Sequence, residues 1–356
     1  MERPTSPFSF KNTQDSPTRV ARSRYPFSAI VGQLEMKRAL ILSAIDPGLG
    51  GVLLFGERGT GKSSAVRALR EVLPNIRSVA TCSYHCDPDQ PDQWCSDCSE
   101  LASIEVVDIP RPLVDLPLGT TEDRLLGAIH FERAVKEGIR VFEPGILANA
   151  NRGILYVDEV NLLEDHIVDL LLDVAQSKEN IVEREGLSVK HPAAFVLVGS
   201  CNPEEGELRP QLLDRFGLAV FLEKEDDVDA RTEVVRRRLA FEDDSAAFVA
   251  SYSEQEDLLR ERIGNAMQNL NAIEIPNVAI ERAAKISQAL EMEGHRGDLT
   301  LVRAARALAA FEGRTPVLAS DIDAVAIASL THRLRRGPFD SYESGHRIAA
   351  VLESVR

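Results

Sequence analysis

Residues 51–63, GVLLFGERGTGKS, constrain the fold of this chain more than any other stretch. An apolar run passes directly into a glycine-rich loop that closes on Lys62 and Ser63 and opens a helical pattern. This is the G-x-x-x-x-G-K-[ST] spacing of a phosphate loop. Gly56, Gly59 and Gly61 permit the dihedrals that turn successive N–H groups inward, and the helix start adds the positive end of its dipole. The stretch from Gly56 through Glu57, Arg58, Gly59, Thr60 and Gly61 to Lys62, Ser63 and Ser64 is therefore the candidate cradle for nucleotide phosphates. Lys62 is placed to reach the β- and γ-phosphates, and the Ser63 hydroxyl to ligate a Mg²⁺ that bridges them.

A phosphate loop does not by itself say whether the nucleotide is hydrolysed. About a hundred residues on, Gly153-Ile-Leu-Tyr-Val-Asp-Glu159 reads as a buried strand ending in two acids. Four consecutive apolar residues suit a parallel strand covered on both faces, whose carboxyl end carries the functional groups. Asp158 is the candidate Mg²⁺ partner, and Glu159 the group that orients the attacking water. A third such strand, Ala194 to Gly199, runs into Ser200-Cys201-Asn202-Pro203. It puts Asn202 on the same edge, where it can reach the γ-phosphate or the lytic water. Arg209 and Arg215 then flank a short apolar helix, and arginines near a nucleotide often stabilise transition-state charge.

With these parts in this order, the chain resembles the AAA+ ATPases, in particular the I subunit of magnesium chelatase, from about Phe27 to Leu334. The resemblance is carried by FSAIVGQLEMKRAL, GERGTGKS, VDLPLGTTEDRLLGAIHFERAVKEG, FEPGILANANRGILYVDEVNLL, VEREGLSVKHPAAFVLVGSCNPEEGELRPQLLDRFG, GHRGDLTLVRAARALAAFEGR and THRLRRGP. PLGTTEDR and NPEEGELRPQLLDRFG are the stretches most specific to that subunit.

The resemblance implies an α/β fold, a parallel sheet sandwiched by helices with a C-terminal helical lid. It implies that ATP and Mg²⁺ are bound by Lys62, Ser63 and Asp158, with Glu159 completing hydrolysis and Asn202 as the first sensor. Arg215, with Arg209 as its rival, is implied as the finger that enters a neighbouring subunit's site. Arg296, with Arg303 as its rival, is implied as a second sensor reporting γ-phosphate within the same chain. Ile30, Val31 and Gly32 match the segment that lines the adenine pocket. The implied activity is that of the ATP-hydrolysing motor of magnesium chelatase, which works with the D and H subunits to insert Mg²⁺ into protoporphyrin IX in chlorophyll or bacteriochlorophyll synthesis. The implied assembly is a ring, expected to be a hexamer. A cobaltochelatase small subunit shares most of these motifs, and a helicase-like motor of the same clade is the other alternative.

Composition narrows the classes. A net charge of −15 lacks the clustered basic surface of a dedicated nucleic-acid binder, which weighs against the helicase reading. No run approaches the eighteen or more apolar residues of a membrane span, and no charged start followed by an apolar segment suggests secretion. The expected location is the bacterial cytoplasm, with the plastid stroma as the alternative.

Residues 1–24 are rich in Ser, Thr, Pro and Arg and lack any period, which predicts a disordered tail. Alternating strand and helix patterns over 25–222 predict the nucleotide-binding domain, and 223–356 a linker and helical lid. Two insertions stand out. About 113–145 the sequence offers a capped helix with Leu125, Leu126 and Ile129 on one stripe. About 179–191 it offers a β-hairpin, ENIVERE and LSVKH joined at Gly186.

The cysteines are the least expected feature. Cys82-x3-Cys86 and Cys95-x2-Cys98 lie in the polar loop CSYHCDPDQPDQWCSDC, with His85 as a spare ligand. Two such pairs can supply four thiolates to tetrahedral zinc, form a redox pair, or stay unligated. Cys201, beside Asn202, reads as a small buried thiol.

Overall fold

The computed structural model describes residues 24–129, 142–184, 187–206, 208–222, 227–334 and 341–355. In chain order the elements are α1 (Leu34–Ile45), β1 (Val52–Phe55), α2 (Lys62–Val72), β2 (Ile76–Val79), α3 (Ser96–Ser99), β3 (Val106–Ile109), β4 (Leu113–Leu116), α4 (Glu122–Leu126), β5 (Gly127–Ile129) and β6 (Phe142–Pro144). There follow α5 (Ile146–Ala150), β7 (Ile154–Val157), α6 (Asp165–Ser177), β8 (Glu179–Arg184), β9 (Leu187–Pro192), β10 (Val196–Cys201), α7 (Pro210–Leu213) and β11 (Leu218–Phe221). The remainder is helical: α8 (Val228–Asp243), α9 (Ser245–Ser251), α10 (Ser253–Asn269), α11 (Asn277–Ala289), α12 (Arg296–Phe311), α13 (Ala319–Leu330) and α14 (Ser341–Ser354).

Five strands form one parallel sheet in the order β11-β1-β10-β7-β4. Their continuous apolar runs are explained by what covers them. Along β1, Val52 and Leu54 enter the apolar cluster on one face, while Leu53 and Phe55 enter the cluster on the other. Along β7, Ile154 and Tyr156 share the first face, and Leu155 and Val157 the second. Successive side chains point to opposite faces, so a strand covered on both has no polar position to spare. The first face carries α1, α2 and the later helices, and its buried cluster runs unbroken into α12, where Ala304, Ala305, Ala307 and Ala309 are all buried. Small side chains there let helix backbones approach closely.

The insertion near 113–145 differs from expectation at both of its described ends. Leu113–Leu116 is the edge strand of the central sheet, paired with Ile154–Val157, because its apolar residues complete the layer beside β7. The helix is short, without a side-chain cap at Thr121, and stops at Gly127, whose φ of +109° and close approach to Glu143 suit only glycine. Ile129 consequently lies in an antiparallel ribbon, β5 with β6, instead of on a helical stripe. Residues 130–141 of this insertion lie outside the described residues, as does the tail over 1–23. The hairpin forms: β8 and β9 pair antiparallel from Glu179↔Pro192 to Arg184↔Leu187, and the joining residues 185 and 186 are not among those described. No helix among the described residues is long and apolar enough to cross a membrane.

Candidate nucleotide site

The carboxyl ends of β1, β7 and β10 converge on a cleft of about 350 Å³ lined by Arg58, Gly59, Thr60, Gly61, Lys62, Ser63, Ser64, Asp158, Glu159, Ser200 and Asn202. That volume is at the lower end of ligand pockets, and the lining is polar throughout. Gly59 and Gly61 have φ of +86° and +84°, and a Cβ at either would meet nothing within 4 Å. Backbone conformation, and not crowding, is what requires glycine at those two positions. Lys62 opens the eleven-residue helix α2 and folds back over the loop, donating to the carbonyls of Gly56 (2.5 Å) and Glu57 (2.8 Å). Partial burial pulls the Lys62 ammonium below its ordinary pKa, against the opposing pull of the Asp158 carboxylate.

The two acids are held differently. Asp158 Oδ1 accepts from the Tyr156 hydroxyl at 2.8 Å and from Ser200 Oγ at 2.5 Å. Ser200 Oγ in turn accepts the backbone N–H of Glu159 at 3.0 Å, so one hydroxyl fixes both acidic residues. Glu159 sits at φ +55°, a left-handed conformation rare for a side-chain-bearing residue outside functional turns. Its carboxylate faces Arg58, Nη2 to Oε1 at 3.1 Å, and the same nitrogen lies 2.7 Å from Glu205. Buried Asn202 lines the cleft and accepts the N–H of Glu204. Cys201, one residue out of phase, is buried in the opposite apolar cluster.

Tyr156, Ser200 and Glu205 carried no role in the sequence reading. For the first two a signal existed: Tyr156 precedes Asp158 by two residues, as Ser200 precedes Asn202, and period-two spacing puts each pair on one strand face. Glu205 had no comparable mark.

The remaining candidates lie elsewhere. Ile30, Val31 and Gly32 form the turn before α1, where Ile30 O accepts from Lys37 Nζ at 2.9 Å; they are not in the cleft lining. Arg215 pairs with Asp173 at 2.5 Å and Asp169 at 3.3 Å, and Arg209 with Asp165 at 2.5 Å. The three aspartates are spaced i, i+4, i+8 along α6 and form a single acidic stripe. Arg296, read as a sensor within its own chain, is not brought to the cleft: it pairs with Asp214 at 2.6 Å. Asp214 also receives buried Arg333, at 2.9 Å. Arg303 donates to Gly48 O at 2.6 Å. The Arg303–Gly48 contact precedes β1 and the Arg296 and Arg333 contacts with Asp214 precede β11, at the amino-terminal edge of the sheet, whereas Arg209 meets Asp165 at the start of the helix that follows the carboxyl end of β7. The phosphate loop follows β1 at the other edge, so the sheet itself separates Arg296 from the loop.

The chain matches the family profile described as "Magnesium chelatase, subunit ChlI" over residues 131–224 and the "AAA lid domain" over 280–351. It is 56% identical over 334 residues to the magnesium-chelatase 38 kDa subunit of Acidiphilium rubrum, covering 93% of this chain and 97% of that protein. It is 50% identical over 328 residues to the chloroplastic magnesium-chelatase subunit ChlI of Oryza sativa, covering 91% and 79%. Among solved structures, a subunit from the BchI–BchD complex of magnesium chelatase superposes with a TM-score of 0.54 at 52% identity, covering 94% of this chain and all of that one. A putative ATPase from Cytophaga hutchinsonii, 19% identical with a TM-score of 0.60 over 93% and 92% of the two chains, shares the fold.

Proposed function

The chain belongs to the I-subunit family of magnesium chelatase, and on that premise we propose that it is the ATP-hydrolysing AAA+ motor that drives insertion of Mg²⁺ into protoporphyrin IX for chlorophyll or bacteriochlorophyll synthesis. The observation that carries this reading is the facing of the Gly56–Ser64 cradle and the Asp158–Glu159 pair across one cleft, in a chain that matches its curated relatives over nearly its whole length.

The donor set fits a nucleotide with Mg²⁺: a hydroxyl at Ser63 and a carboxylate at Asp158 are hard oxygen ligands, and the loop N–H groups and Lys62 complement phosphate. Bound there, Mg²⁺ would neutralise charge on the β- and γ-phosphates. Lys62 exchanges its loop carbonyls for phosphate oxygens. Tyr156 and Ser200 keep Asp158 in one orientation. Glu159 polarises the attacking water once its carboxylate is released from Arg58, and Asn202 holds that water or the γ-phosphate from the adjacent strand.

Arg215 and Arg209 are held by the aspartates of α6 and neither lines the cleft, which favours action on a neighbouring subunit and hence a ring, expected to be hexameric. Arg296 lies beside Asp214 at the amino-terminal edge of the sheet and is assigned to the neighbour's site as well. Helices α8 to α14 act as the lid. The partners are further copies of this chain and the D and H subunits, the porphyrin chemistry residing on the large partner. The expected location is the bacterial cytoplasm.

The test is direct. The chain, mixed with D and H subunits, ATP, Mg²⁺ and protoporphyrin IX, should generate Mg-porphyrin fluorescence. ATPase activity indifferent to those subunits but stimulated by DNA in a salt-sensitive manner would move the chain to a nucleic-acid motor.

A further inference from the structure

Among the described residues, one cluster of metal-ligating side chains lies apart from the nucleotide cleft. The sulfurs of Cys82, Cys86, Cys95 and Cys98 all lie within 4.8 Å of one another, and none is in a disulfide. Tetrahedral Zn–S bonds of about 2.3 Å place sulfurs ~3.8 Å apart. The Cys82 and Cys95 sulfurs are 3.7 Å apart, far beyond the roughly 2.05 Å of a disulfide. His85, at φ +50°, turns the chain so that Cys86 returns toward Cys82, and its own ring is not in the cluster. α3 begins directly after Cys95 and brings Cys98 back beside it.

The surroundings leave room for a cross-link to add order. Beyond the four cysteines, the cluster contains only Val79, Tyr84 and Ala148 as buried residues, with Trp94 and Ile104 partly buried against them. This small apolar cluster contributes little order of its own, and in isolated proteins of that scale disulfides or metals supply the rest. Backbone N–H groups of Tyr84 and Cys95 point at the Cys82 and Cys86 sulfurs, at 3.4 and 3.2 Å, a pattern that stabilises thiolates as ligands.

We propose that Cys82, Cys86, Cys95 and Cys98 bind one structural Zn²⁺, and that the module it closes braces the base of the β8–β9 hairpin. Four protein thiolates leave no open position, which makes the site structural and not catalytic. The brace is visible in the contacts. Asn151 donates to Tyr84 O at 2.6 Å and accepts the N–H of Ala194 at 2.8 Å. Arg152 pairs with Asp87 at 2.9 Å, and the Tyr84 ring packs 4.7 Å from that of His191 in β9. Asn151 and Ala194 precede β7 and β10, so the module sits at the amino-terminal edge of the sheet, away from the phosphates. The proposal does not depend on the activity assigned above.

Full-length protein purified without chelator should contain close to one zinc per chain. Exchange of that metal for Co²⁺ should give the intense thiolate charge-transfer and tetrahedral ligand-field bands of an S₄ site. Removal of the metal should accelerate hydrogen exchange over 79–104 and 179–192 while leaving the affinity for a fluorescent ATP analogue within about twofold. Cys98→His should retain metal, and Cys95→Ser should lose it. Zinc well below stoichiometric with all four thiols alkylated in the native protein, a disulfide in the purified chain, iron in place of zinc, or an octahedral Co²⁺ spectrum would each overturn the assignment. Hydrogen exchange in the hairpin unchanged by metal removal would overturn the brace.

Discussion

Arg58 Nη2 lies 3.1 Å from Glu159 Oε1, so the phosphate loop itself holds the carboxylate assigned to the attacking water. The same guanidinium reaches Glu205 at 2.7 Å, and the two acids compete for it. Arg58 is largely exposed, which limits the strength of the hold. If Glu159 has the role proposed for it, hydrolysis turns its carboxylate toward the water and each turnover loosens this pair.

Replacing Arg58 with alanine should therefore raise the basal kcat for ATP by no more than about fivefold, the range expected of an exposed ion pair. The gain should shrink as salt is added, because exposed charges are screened. Steady-state phosphate release at low and high ionic strength measures both. A lower kcat at every salt concentration would show instead that Arg58 acts on the nucleotide.

Lys62→Ala should abolish tight ATP binding, whereas Glu159→Gln should bind ATP normally and lose roughly 10²–10⁴ in turnover. In the proposed mechanism Lys62 meets phosphate already in the ground state, and Glu159 acts only as the water attacks. Nucleotide binding by fluorescence and turnover by phosphate release separate the two. Near-normal turnover in the glutamine variant would remove Glu159 from its role.

Arg215→Ala should bind ATP yet hydrolyse it slowly, and mixing it with Lys62→Ala should restore part of the activity, because with a finger acting across the interface each variant would lend its intact half-site to a neighbour. An arginine finger is worth about 10³–10⁵ in rate, so partial rescue is easily seen. Arg296→Ala should be rescued in the same way if it acts across the interface. Rescue of Arg215→Ala without rescue of Arg296→Ala would return Arg296 to its own chain, and failure of both in mixed rings shown to form would exclude an intersubunit role.

His191 supplies a pH dependence. Its Nε2 faces the Asn180 amide nitrogen at 2.9 Å, and that nitrogen can only donate, so Nε2 accepts and Nδ1 donates to Pro192 O. Burial holds the imidazole below its ordinary pKa, favouring the neutral ring. A histidine depressed in the folded state contributes fully above the unfolded value of about 6.5 and loses that contribution as pH falls from there through the folded pKa. The chain should accordingly lose more Tm between pH 7.5 and 5.5 than a His191→Gln variant, with faster hydrogen exchange at the hairpin base. Equal losses in the two proteins would show that His191 does not titrate in this way.

Much of this protein is local in origin and could be read directly. The phosphate loop, the apolar strands at Ile154–Val157 and Val196–Cys201, the hairpin and the polar residues at strand ends all depend on spacings within about ten residues, where backbone geometry links pattern to structure. The sequence by itself thus determined the parallel sheet and which edge carries Lys62, Asp158, Glu159 and Asn202. Where that reading failed, the cause was a competing pairing: Leu113–Leu116 joined the sheet because β7 lacked a neighbour, and Gly127 ended a helix that the leucine spacing alone extended.

Tertiary structure decided what depends on residues far apart in the chain. Ser200 meets Asp158 across 42 positions, Arg58 meets Glu159 across 101, and Arg296 meets Asp214 across 82. No local period encodes such a pair, since an arginine's reach allows many acids and only the packed sheet and helices select one. The same holds for the cysteines: their spacing admitted zinc, a redox pair or free thiols, and it was the fold of the loop against Asn151 and Arg152 that gathered the four sulfurs within 4.8 Å of one another.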